Sequence, residues 1–340
     1  MGTRQATGTR WRGVAASASA ALLLSAALAP TASAQDEEPL KIAYLSFAVA
    51  NTYDEPMLAA AEEAAAAGNA TLTVFDANND PGLQTTQLQD AVTSGEFDGI
   101  LVQPIYGAGL VLPVQDAIAA GVPVGNVDQI LGEDMTTSDA QVEGLSANVV
   151  FVPSEIGRKM GELTVQACAD AAADPCEVGY IDAFGQIPLD ISIRAAFDEA
   201  IAVNPSISVV AQGIGMFNPA SGLTAGQDML QAQPGIDVIV GSDQAITGVL
   251  QAIEAAAPEG PIATIGYGGG ALAVQDVAAG TRYATVMQMP ATEGKLAIEH
   301  LIAAIRSGEP VAGVDPVSEL PDEGIVRADN ASQFTPEWPG

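Results

Sequence analysis

Short apolar runs, most of them ending in a polar or aromatic residue, alternate along this chain with longer stretches in which apolar residues recur every three or four positions. The clearest unit is 98–129, DGILVQPIYGAGLVLPVQDAIAAGVPVGNVDQ. Its run 99–102, bounded by an acid and an amide, suits a strand buried on both faces of a parallel sheet. Leu110, Val111, Val114, Ile118 and Ala119 then fall at helical spacing, Gly121 stops the helix, and a second run over 122–127 ends in Asp128 and Gln129. This is a βαβ unit. The same succession predicts strands over 41–47, 71–75 and 144–149 with helices over 55–67 and 82–94. It then begins again, with helices over 154–171, 189–203, 220–231, 245–257, 271–279 and 292–306 and strands over 177–181, 207–211, 236–240, 262–265 and 283–289.

The repeated succession predicts an α/β fold of two doubly wound parallel-sheet lobes rather than one large sheet. From residue 308 the chain holds Pro310, Pro316, Pro321 and Pro336 and one strand candidate at 325–326, which reads as a connector. In open α/β sheets ligands sit beyond the carboxyl ends of the strands. Polar or aromatic residues recur at those ends: Asn51 and Tyr53, Gln103 and Tyr106, Asp128 and Gln129, Phe184, Ser242 and Asp243, Tyr267, and Gln288. Amides and carboxylates with aromatic faces suit a neutral polyhydroxylated ligand, the first bonding vicinal hydroxyls and the second covering the C–H face of a ring.

Charge narrows the partners. The formal net charge is −31 over 340 residues. Arg4, Arg10 and Arg12 precede an apolar run over 14–29, and Ala32-Ser33-Ala34 supplies a small-residue cleavage site, so 1–34 reads as a secretory signal peptide. Its removal takes away those three cations and no acid, leaving −34. So acidic a chain, without a cluster of Lys and Arg, argues against nucleic acid, and no second apolar run is long enough to span a bilayer. The mature protein is therefore expected to be exported and free of the membrane. Cys168 and Cys176, the only thiols, read as a local disulfide in an oxidising compartment.

Other chemistry fails its own tests. Gly266 to Ala271 follows a strand and opens a helix, but no acid stands where a dinucleotide ribose would need one. Asp76, Asn78 and Asp80 alternate like the start of a calcium loop, yet Pro81 displaces the glycine and Gln87 the bidentate acid, leaving a turn and a helix cap as their reading. With one histidine, His300, no triad or metal set can be assembled. Neither cofactor nor catalytic activity is expected.

The pieces KIAYLSF, ANTYDEP, FDANNDPGLQTTQLQD, FDGILVQP, AAGVPVGNVDQ, RAAFDEAI, VIVGSDQAITGVLQAI, PIATIGYG and ATVMQMP, in this order, resemble the ribose-type periplasmic solute-binding proteins of ABC sugar importers, the type I periplasmic binding protein fold shared with lactose-repressor-like effector domains. The resemblance covers about 41–326. It implies a first lobe of 40–147 plus 290–317, a second of 148–289 plus 318–330, a tail over 331–340, and a three-crossing hinge that closes the lobes on a ligand. It further implies a monomer that delivers a sugar or polyol to a membrane permease. A sensor for a chemoreceptor or histidine kinase, or a binder of another small polar solute, is the alternative.

By the same resemblance the ligand-binding residues are Asn51, Tyr53, Asp54, Gln103, Asp128, Arg194, Phe217, Ser242, Asp243, Tyr267 and Gln288. Three positions depart from the family pattern: Gln129 for an Arg, Ser242 for an Asn, and Gly268 for an Asp. Together they remove a cation, an amide and an anion from the expected pocket.

Overall fold

The structure, a computed structural model, describes residues 38–340; the expected signal peptide lies outside the described residues. The first sheet contains β1 (Leu40–Ser46), β2 (Ala70–Asp76), β3 (Gly99–Val102), β4 (Val124–Asp128) and β5 (Ala147–Val150), in the order β2-β1-β3-β4-β5, all parallel. Helices α1 (Asp54–Ala67), α2 (Pro81–Ser94) and α3 (Gly107–Ala119) make the crossovers. Alternation along β1 shows why both faces are covered. Ile42 and Tyr44 point to one side and pack with Met57, Ala61, Ile298 and Leu301, while Ala43 and Leu45 point to the other and pack with Leu88, Ala91, Leu110 and Val114.

The second sheet runs β11-β10-β9-β8-β6-β7, from β6 (Cys176–Asp182), β7 (Ile207–Ile214), β8 (Val238–Ser242), β9 (Ala263–Gly268), β10 (Ala284–Met287) and β11 (Ile325–Val326); only β11 is antiparallel. Around it lie α4 (Pro153–Asp170), α5 (Pro188–Ile201), α6 (Pro219–Ala232), α7 (Asp243–Ala256) and α8 (Ala271–Ala279). Side chains start several helices. Asp80 accepts the amides of Gly82 and Leu83 at α2, Asn218 those of Ala220 and Ser221 at α6, and Ser242 that of Ala245 at α7. Cys168, near the end of α4, is disulfide-bonded to Cys176 at the start of β6.

The chain passes between the sheets three times. β5 stays in the first sheet to Val150, and the first crossing follows it. The second lies between β10 and α9 (Pro290–Ser307), which returns to pack on α1 and the first sheet. The last leaves the edge of β5, where Val314 accepts from Val150 and donates to Asn148, and ends in β11. Residues 129–146, between β4 and β5, contain no helix, unlike the other connections in this sheet. At Gly294 a Cβ would lie 2.1 Å from the Met57 carbonyl oxygen. That close approach of α9 and α1 brings Glu293 beneath Tyr53.

Candidate ligand-binding cleft

The carboxyl ends of the two sheets face one another across a space of about 480 Å³, its open mouth included. The first lobe lines it with Phe47, Asn51, Tyr53, Asp54, Gln103, Asp128 and Gln129. On the opposite side lie Leu189, Phe217, Gln244, Tyr267 and Gly268, with Phe151 and Gln288 at the crossings and Trp338 closing one end. Lys, Arg and His are absent from these lining residues.

The first-lobe side is an acid–amide cluster. The Gln103 Nε2 donates to Asp54 at 2.5 Å and to Asp128 at 3.0 Å, and its Oε1 accepts from the Phe47 amide at 3.0 Å. The Gln129 Nε2 donates to Asp128 at 3.1 Å. The Tyr53 hydroxyl lies 3.4 Å from Asp128 and 3.5 Å from Glu293, and its amide donates to Asn51 at 2.8 Å. Asp128 takes up a left-handed backbone, φ +69°, at the end of β4, a conformation Asp tolerates better than most residues and one that accompanies functional sites.

Burial raises the carboxyls of this cluster. Asp54 is pushed up to about 8, by desolvation first and then by the charge of Asp128. Asp128 is pushed up to about 6 by desolvation, with the bonds from Gln103, Gln129 and Tyr53 holding it down. Glu293, wholly buried, is raised well above the usual range by desolvation and the nearby Asp128. Near neutral pH the cluster therefore holds protons, and presents both donors and acceptors to a ligand.

The second-lobe side is aromatic. Phe217, with φ +47° just before α6, meets Phe184 and Tyr267 edge-on at 5.8 and 6.4 Å. Asp243 does not reach the cavity. Its carboxylate is buried behind β9, paired with the fully buried Arg282 and accepting from Thr285 Oγ1 and the amides of Gly269 and Gly270. Ser242 is likewise spent on capping α7, and it is Gln244, the next turn position, that lines the cleft.

Arg194 is placed away from the cleft, contrary to the sequence expectation. Leu189 of the same helix faces the cavity, and five residues at the helical repeat turn Arg194 about 140° from it. Its guanidinium lies over the Tyr180 ring at 4.7 Å and bonds Asp198 at 2.8 Å, on an outer groove. Tyr106 is exposed and also outside. Asn51, Tyr53, Asp54, Gln103, Asp128, Phe217, Tyr267 and Gln288 are brought together. Sequence reasoning missed Phe47, Phe151, Leu189, Gln244 and Trp338. Gln244 was signalled by the run Ser-Asp-Gln at a strand end, but the phase of α7 selects among the three.

Comparison with known proteins agrees with this architecture. The ribose import binding protein of Bacillus subtilis is 28% identical over 66% of this chain and 68% of its own length. The D-allose-binding periplasmic protein of Escherichia coli is 26% identical over 71% of this chain and 75% of its own. The crystal structure of a galactofuranose binding protein, 19% identical, superposes with a TM-score of 0.74 over 86% of this chain and 96% of that one. A family model for the periplasmic binding protein domain matches residues 42–310. The chain thus belongs to the periplasmic binding protein domain family.

Proposed function

We propose that this protein is the substrate-binding component of an ABC importer, capturing a small neutral carbohydrate or polyol between its lobes and delivering it to a membrane permease. The observation that carries this reading is the cleft itself: an acid–amide cluster on one side, aromatic rings on the other, and no cationic side chain between them. Amides and shared-proton carboxyls match vicinal hydroxyls, and ring faces match the C–H face of a sugar. The relatives named for ribose and allose support the ligand class.

On this reading 1–34 is removed on export, the mature chain acts as a monomer, and the lobes close about the three crossings because only the closed form touches the ligand from both sides. No bond is made or broken. A thermal-shift screen with ribose, allose, myo-inositol, amino acids and NAD tests it. A ligand that binds only the folded state at 100 times its dissociation constant adds about 2.7 kcal/mol, a shift of roughly several degrees. Stabilisation by a sugar or polyol is the expected result; stabilisation by amino acids or NAD alone refutes the ligand class.

A further inference from the structure

The segment after β11 contributes more than a tail. Phe334 is buried beside Val274, Val277, Met287 and Val326 of the second lobe, and the chain then turns into the cleft. Trp338 is 3% exposed. Its indole Nε1 donates to the Gly268 carbonyl at 2.7 Å, and its ring meets Tyr53 of the first lobe edge-on at 5.5 Å. The carbonyls of Trp338 and Pro339 accept from the amides of Ala271 and Leu272 at 2.8 and 3.0 Å, capping the start of α8. Glu337 reaches the other way, accepting from the amide of Thr292 at 2.9 Å and from its hydroxyl, at the start of α9 on the first lobe.

Position 268 is shaped for this contact. A Cβ there would lie 2.7 Å from the indole Cζ2, and its φ of +134° favours glycine regardless. The space that a side chain at 268 would occupy is thus filled by Trp338, seventy residues later in the chain.

We propose that residues 335–340 form a fourth, non-covalent link between the lobes, seating Trp338 as the wall that limits the cleft to ligands of monosaccharide size. This deepens the sugar-binding reading and rests on it. Glu337 anchors the segment to α9, the Trp338 and Pro339 carbonyls anchor it to α8, and the indole faces the cavity between them. A longer saccharide extending toward Gly268 meets the ring.

The test uses the mature chain from residue 35, in which Trp338 is the sole tryptophan. Its emission and its quenching by acrylamide are recorded first without ligand, then during titration with ribose, allose, myo-inositol and the disaccharides sucrose and trehalose. The same sugars are titrated calorimetrically into W338A, W338F and E337Q, with circular dichroism confirming the fold. The expected result is a blue-shifted, poorly quenched indole whose emission changes on binding a monosaccharide or polyol. W338A then loses about tenfold or more in affinity for that ligand and gains disaccharide binding, W338F retains most of it, and E337Q shows increased quenching.

A bound monosaccharide with unchanged affinity and selectivity in W338A overturns the wall while leaving the sugar-binding reading intact. An exposed, readily quenched indole without ligand overturns the link whether or not any sugar binds. A buried indole with no sugar binding to any variant refutes the sugar-binding reading, and the size limit falls with it.

Discussion

Asp128 and Asp243 occupy equivalent places, each where a strand of a parallel sheet gives way at its carboxyl end, yet they do opposite work. Asp128 faces the cavity bonded by two amides and a hydroxyl, with the carboxyls of Asp54 and Glu293 nearby and no cation among the lining residues, so burial pushes its carboxyl up to about 6. Asp243 has a buried guanidinium, a threonine hydroxyl and two backbone amides, and the opposing pull of Arg282 is the largest influence countering its desolvation. What separates a cavity-facing acid from a scaffold acid is the countercharge of Arg282, just before β10, not the position at the strand end. The two rims differ accordingly. The first lobe offers a polar surface whose protons can be shared with a ligand, and the second offers rings beside a buried ion pair.

The sharpest break in this contrast is Arg282→Ala. Leaving Asp243 buried and unpaired should cost about 3–5 kcal/mol of folding stability, read from urea denaturation. A loss under about 1 kcal/mol would mean that the pair is not what holds the second rim. Asp128→Asn should do the reverse, weakening ligand binding by about 1.5–3 kcal/mol with little loss of stability, because the carboxylate is aimed at the cavity and not at the core. Loss of the fold instead would place Asp128 with the scaffold.

The pH dependence of stability follows from the same cluster. Asp54 and Asp128 have folded-state values raised to about 8 and about 6, against about 4 in the unfolded chain. The folded protein therefore holds protons that the unfolded chain has released. Their contribution is full below about pH 4 and is lost as pH rises through about 6 and then about 8, with a slope of at most about 1.4 kcal/mol per pH unit for each proton. Melting temperature measured from pH 5 to 9 should fall on this account, and Asp54→Asn should flatten the fall. A melting temperature that rises through this range would contradict a protonated cluster. The smallest effect is expected at Arg194→Ala, which should leave ligand affinity unchanged and cost less than about 1 kcal/mol of stability, since its partner Asp198 is half exposed.

Legibility in the sequence followed the range of the interactions. Strand ends such as Gln103, Asp128 and Tyr267 were readable because a strand buried on both faces is a mostly apolar run, and the polar or aromatic residue at its carboxyl end marks the rim. Arg194, Asp243 and Gln244 turn on helix phase and on a partner about forty residues away in the case of Asp243, neither of which a local pattern carries. Trp338 stood in a segment read as a tail. Nothing near it in sequence points to Gly268 or Tyr53, and only the packed fold brings them together.

The most direct measurement of the central claim is a calorimetric titration of one sugar or polyol, chosen by its thermal shift, into the wild type, Asp128→Asn and Arg194→Ala at pH 7. The account predicts one site per chain, an affinity lowered about tenfold or more by Asp128→Asn, and one unaltered by Arg194→Ala. Equal binding by the wild type and Asp128→Asn, with loss in Arg194→Ala, would place the ligand on the outer groove and contradict it.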